Sequence, residues 1–192
     1  SFPDSWLVQT EDAPSTRLRI AGPIGADFAT CRVKADADGR LKIYPKHLMT
    51  EAVNETLNRD FWEHEVGEHA NAVIADYHAA ASMGGQGDAT AIKYSFVEGS
   101  GDDRMQMFGT MIGSIYGGTR YVVGCSARSD AFMQYAPLFA SIMESAELDS
   151  RYHPFATGYY RDFLADPKGY LPVRTKPGTI ELKNSYALSN GR

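Results

Sequence analysis

The chain has only two cysteines, Cys31 and Cys125, with no CxxC pair and no histidine-rich spacing around either. That scarcity argues against a structural zinc site. No apolar run approaches the roughly 18–20 residues of a membrane span, so the chain has no transmembrane segment of its own to expect. A dense Lys/Arg run is also missing, and a net charge of −5 repels phosphate, which makes nucleic acid a poor partner. Met83-Gly84-Gly85-Gln86-Gly87-Asp88 is glycine-rich but has no GK[ST] and not the spacing of a dinucleotide fingerprint. It reads as a connection between strands, and no cofactor is expected.

What is present is the composition of an ordinary globular protein, 43% hydrophobic and 22% charged. At 192 residues the expectation is one domain with an appendage, large enough to bury its own core. The opening Phe2-Pro3-Asp4-Ser5-Trp6 reads as the mature start of an exported protein with its leader removed. A periplasmic or otherwise exported location is expected on that basis, with a cytoplasmic one as the alternative. In an oxidising compartment Cys31 and Cys125 pair as one disulfide pinning the first strand region to the last. In a reducing one they are two buried thiols.

Charge is unevenly spread. Residues 151–192 carry seven basic side chains against three acidic ones, a net of +4, which leaves the preceding 150 residues at −9. A basic tail on an acidic body folds back over that body or reaches for an acidic partner.

Along the chain, Trp6-Leu7-Val8 opens a short strand and Arg17 to Ile20 alternates like a half-buried one. Phe28 to Val33 reads as a third strand, closed by a turn at Asp36-Ala37-Asp38-Gly39. The spacing of Leu48, Met49, Ala52, Val53 and Leu57 predicts a helix entered near Pro45. Residues 58–72 are charged and fit no period; Val73 to Ala81 reads as a strand of small residues. Three strands then form a meander. Ile92, Tyr94 and Phe96 share one face, Met105 to Tyr116 is long with Gly109 and Gly113 on one face, and Thr119, Tyr121, Val123, Cys125 and Ala127 share another. Tight glycine turns between them require antiparallel pairing. Glycines within a strand mark a bend or close packing. Ser129 or Asp130 is placed to cap a helix whose main run starts at Pro137, with Leu138, Phe139, Ile142, Met143 and Ala146 as its apolar stripe. The class is α+β, helices on an antiparallel sheet. After Ser150 the rhythm stops, so 1–150 is read as the domain and 151–192 as an irregular, basic, Tyr/Pro-rich C-terminal arm.

The pattern resembles the PsbP-like domain family. Phe2-Pro3-Asp4-Ser5-Trp6 looks like that family's opening strand, Arg104 to Ala127 like its long and final strands, and Phe139 to Ala146 like its closing helix. The family includes the extrinsic PsbP subunit of photosystem II and exported bacterial proteins of the DcrB type. The resemblance covers about residues 1–148 and implies a sheet with helices on both faces, an α/β/α sandwich. It also implies a non-enzymatic role in binding or assembly. Ser5 stands where that family usually has glycine, and the long arm is a departure.

Chemistry is sparse. His64-Glu65-Val66-Gly67-Glu68-His69 holds two imidazoles and two carboxylates, a weak divalent-metal candidate. Its histidines are five apart, where a zincin helix needs four. The segment reads first as solvated charge, with small-ligand or metal binding as the alternative function. Lys34-Ala35-Asp36-Ala37-Asp38-Gly39 has Lys in a calcium loop's first ligand position and Pro45 in its twelfth, so it reads as a turn. Ser126 lacks the second glycine of a nucleophile elbow, and Cys125 with His78 is a pairing of residue types alone. The expectation is no catalytic residues. The chain is read as an exported accessory protein that docks on a larger, membrane-associated complex through Tyr159, Tyr160, Arg161, Tyr170, Arg174 and Lys176, since Tyr and Arg are favoured at interfaces.

Overall fold

The computed structural model describes residues 2–9, 13–23, 27–38, 48–84, 88–116, 118–146 and, by their backbone, 170–176 and 179–184. The strands are β1 (Leu7–Gln9), β2 (Thr16–Ala21), β3 (Thr30–Ala37), β4 (Ala70–Ser82), β5 (Asp88–Glu98), β6 (Met105–Tyr116), β7 (Thr119–Arg128), β8 (Tyr170–Lys176) and β9 (Thr179–Asn184). The helices are α1 (Met49–Thr56), α2 (Arg59–Val66) and α3 (Phe132–Glu144).

Seven strands form one sheet in the order β1-β2-β3-β7-β6-β5-β4, each pair antiparallel. After β3 the chain crosses by α1 and α2 to the far edge. The β4–β7 meander then returns until β7 pairs with β3. Because strand side chains alternate, both faces of the sheet carry core. On one face Ile20, Cys31, Val123, Cys125 and Ala127 pack against Phe139, Ile142 and Met143 of α3, with Trp6 beside them. On the other, Ile92, Tyr94, Phe96, Met107, Met111 and Val122 pack against Trp62 and Val66 of α2. Val53 and Leu57 close over Ile115 on that same side. The result is an α+β protein with an α/β/α sandwich.

Gly113 lies under a helix, as close packing requires: a Cβ there would come within 3.1 Å of the Trp62 ring and of Leu57. At Gly109 the neighbour is a strand side chain, since a Cβ would collide with the Tyr94 ring. In the 83–88 connection, Gly84 has φ +56° and lies so near the end of α3 that a Cβ would collide with the Ala146 carbonyl.

The sequence expectation fails at four places. Residues 58–72, left without a period, contain α2, a helix started by Asn58, whose side chain accepts from Phe61 N at 2.9 Å. Only Trp62 and Val66 of α2 are buried, too few to show a stripe among so many charges. Asp36 and Ala37 belong to β3 and pair with Arg120 and Thr119, so no turn begins at Asp36. Pro137 sits inside α3, which starts at Phe132 without a side-chain cap. Asp130 is instead held by Arg128, at 2.5 and 2.8 Å. Finally, the C-terminal arm is not without rhythm: β8 and β9 form an antiparallel hairpin. Leu171 and Val173, then Ile180 and Leu182, alternate around Pro177-Gly178, a turn dipeptide.

Edge strand β4 is long but irregular. Its pairing to β5 shifts register three times, and Asn71 near its start has φ +53°.

Candidate functional site

A connected set of ion pairs joins β3 to the end of α2. Alternation along β3 puts Arg32 and Lys34 on the face opposite Cys31 and Val33, toward α2. Lys34 is 7% exposed, and its ammonium donates to Glu65 at 2.5 Å and to Glu68 Oε2 at 3.1 Å. Arg32 reaches Glu68 at 3.4 Å. Partial burial opposes the Glu68 charge, but the Lys34 hydrogen bond and the charges of Lys34 and Arg32 outweigh it. Its carboxyl therefore lies below the usual range. Both carboxylates proposed as metal ligands are thus occupied by cations. His69 turns to aromatic rings, 4.2 Å from Phe96 and 6.0 Å from Tyr94 between centroids. Among the described residues no group of three or more His, Cys, Asp or Glu side chains gathers in a metal-holding geometry. This cluster of sequence-flagged residues does the work of an ion-paired joint.

Arg32 and Lys34 were missed as its partners. The signal was present as two cations at i and i+2 of a strand, but it has meaning only once 59–66 is a helix over that strand.

The other chemical candidates are drawn apart. Cys31 and Cys125 stand opposite each other in the β3–β7 register and their sulfurs are bonded, so Cys125 is not a free nucleophile. His78 pairs with Asp76 at 2.9 Å on β4. That places it three strands from β7, about 14 Å at ordinary strand spacing. Ser126 faces Thr30 at 3.4 Å. In the calcium-like stretch, Asp36 accepts from Arg120 at 3.5 Å.

A hollow of about 270 Å³ lies over β2, β3 and β7, floored by Leu18, Ile20, Cys31, Val33 and Val123, with Ile142 of α3 on one side. Its lining is mostly apolar. Of the residues expected to bind a partner, Tyr170, Arg174 and Lys176 lie in β8, where Arg174 pairs with Ile180 and Lys176 with Thr179. Tyr159, Tyr160 and Arg161 fall outside the described residues.

With this geometry in hand, comparison with solved structures returns a cyanobacterial PsbP (CyanoP) from Synechocystis sp. PCC 6803 at TM-score 0.48 and 12% identity, covering 77% of this chain and 84% of that one. The chain is similar in architecture to a PsbP. A protein of unknown function and putative regulator from Pseudomonas aeruginosa, PA94, follows at 0.47 and 8%, covering 78% and 87%. LpqN of Mycobacterium tuberculosis, involved in cell envelope biogenesis, gives 0.45 and 16%, covering 76% and 79%. No family model matches the chain, and no curated protein matches it. The likeness to PsbP, PA94 and LpqN is one of fold. No helix among the described residues is long and apolar enough to cross a membrane.

Proposed function

We propose that this chain is a non-enzymatic, exported accessory protein or subunit that docks on a larger protein complex at a membrane surface through residues 151–192. The observation that carries this reading is the separation of charge: a net of +4 in that segment against −9 in the rest. A cationic segment held on an anionic body is drawn to an acidic surface that the body alone would avoid. The β8–β9 hairpin gives part of the segment a regular backbone on which Tyr170, Arg174 and Lys176 are set in register. The bond between Cys31 and Cys125 supports an oxidising compartment, where disulfides persist. On the body, the flagged carboxylates Glu65 and Glu68 are engaged in pairs that join secondary structure.

The test uses the intact chain with an affinity tag, isolated gently from its native membranes and analysed by mass spectrometry. A stoichiometric set of companions is expected. It should be lost from one variant carrying Arg161→Glu, Arg174→Glu and Lys176→Glu, and weakened in another carrying Tyr159→Ser and Tyr160→Ser. Recovery of the unaltered chain alone, from the soluble fraction, overturns the reading, as does full retention by both variants.

A further inference from the structure

The joint between β3 and α2 contains one group that none of the foregoing uses. His69 stands three residues beyond the end of α2, and its ring lies against Phe96 and Tyr94 of β5. Arg32 and Lys34 face it from β3, and Glu68 from the turn beside it. Glu65 of α2 holds Lys34 in place, and Glu98 acts on the imidazole from the end of β5 that pairs with the start of β4. The Tyr94 hydroxyl is kept neutral by burial. With His69 uncharged, Arg32 and Lys34 are held in ion pairs with Glu65 and Glu68, and Glu98 stands near the ring as a third acid. A proton on the imidazole adds a third positive charge beside Arg32 and Lys34, in a half-buried place where water screens it poorly.

The backbone there is built to give way. Gly67 ends α2, Asn71 has φ +53°, and the pairing of β4 to β5 shifts between Ala70 and Val73. Few ladder bonds therefore hold this stretch once its side chains let go.

We propose that the cluster of Arg32, Lys34, Glu65, Glu68 and His69 is an acid-sensitive latch, fastening the α2–β4 junction to the sheet and releasing it when His69 gains a proton.

The direction follows from linkage. Burial, and then the charge of Arg32, hold the imidazole below its ordinary value of 6.5, with Glu68 and Glu98 pulling the other way. The folded chain accepts this proton less readily than the unfolded chain does. The stabilisation is therefore complete above pH 6.5 and drains as the pH falls from there through the lowered folded value. Glu68 titrates below its ordinary 4.5, so it stays charged while His69 responds. The two events are separate in pH.

Hydrogen exchange of the intact chain between about pH 7.5 and pH 5.5, corrected for intrinsic rates, tests this. Amides of residues 62–72 should lose protection several-fold on acidification while those of β6 and β7 keep theirs. His69→Phe retains a ring on Phe96 without a titrating nitrogen, and its 62–72 segment should show no such change. An NMR titration of the His69 ring in the unaltered chain makes the test independent of how that variant folds. The idea is overturned if 62–72 loosens only together with β6 and β7, if His69→Phe keeps the wild-type pH dependence, or if the ring titrates at or above 6.5.

Discussion

The indole of Trp62 donates to Thr90 Oγ1 at 2.9 Å, and the Thr90 hydroxyl in turn donates to the carbonyl of Leu57, also at 2.9 Å. Trp62, Thr90 and Leu57 are all fully buried, so this short chain of donors fixes the α1–α2 corner on β5 where water cannot substitute. Thr90→Val keeps the shape and removes the hydroxyl. The Leu57 carbonyl retains the more distant Tyr77 hydroxyl at 3.4 Å, but the indole N–H is stranded. A loss of about 2 kcal/mol is expected in urea unfolding, with Thr90→Ser costing less.

Lys34 and Glu65 are a buried pair, with side chains 9% and 13% exposed. Removing Lys34 leaves Glu65 desolvated without its cation, whereas removing Glu65 leaves Lys34 its bond to Glu68. Lys34→Met alone should cost about 3 kcal/mol and Glu65→Leu alone less, and the two together should recover most of the Lys34→Met loss. A double-mutant cycle that gives additive losses would show the pair to be uncoupled.

The Cys31–Cys125 bond spans 94 residues of sequence and ties the N-terminal strands to the returning meander. Cys31→Ala with Cys125→Ala should lower stability by about 3 kcal/mol, chiefly by freeing the unfolded chain. Thermal melts of the oxidised, reduced and doubly substituted protein are the check, the last two being expected to agree closely.

Tyr94 covers Gly109 from the next strand, directly opposite it in register. Gly109→Ala forces that ring aside and should cost about 2 kcal/mol. Shortening the cover relieves the clash, so Gly109→Ala should cost much less in a Tyr94→Leu background. Equal costs in both backgrounds would refute the contact.

Glu68 contributes at the acid limb. Its folded value is lowered, so its stabilisation is present above its unfolded value of 4.5 and is lost as the pH falls through the lowered one. Glu68→Gln should flatten the stability profile below about pH 4.5 and leave its shape near neutrality unchanged, as read by denaturant midpoints across pH.

The meander was legible because β5 and β7 bury roughly alternate residues on strands of ten or more, long enough for a period of two to stand out, while β6 alternates in its first half and is buried without a break from Met111 to Ile115. The placement of α3 on one face could be read from Phe139, Ile142 and Met143. Its start could not, because Pro137 is a common first residue of helices, and here five residues precede it. Helix α2 escaped notice because a two-turn helix with charges at 59, 60, 63 and 65 shows its apolar side only as Trp62 and Val66. The hairpin of β8 and β9 was obscured by its prolines and tyrosines, although Ile180-Glu181-Leu182-Lys183 alternates plainly. At the ionic joint, Glu65 and Glu68 stood out by spacing. Their partners lie 31 and 34 residues earlier, beyond any local pattern.

Three register shifts along β4 mean that a foreign strand approaching this edge meets no continuous ladder of donors and acceptors. At the opposite margin β1 offers only three residues. The seven-stranded sheet is thus blunted on both sides against growth by strand addition, so these two edges offer copies of the molecule little to polymerise through.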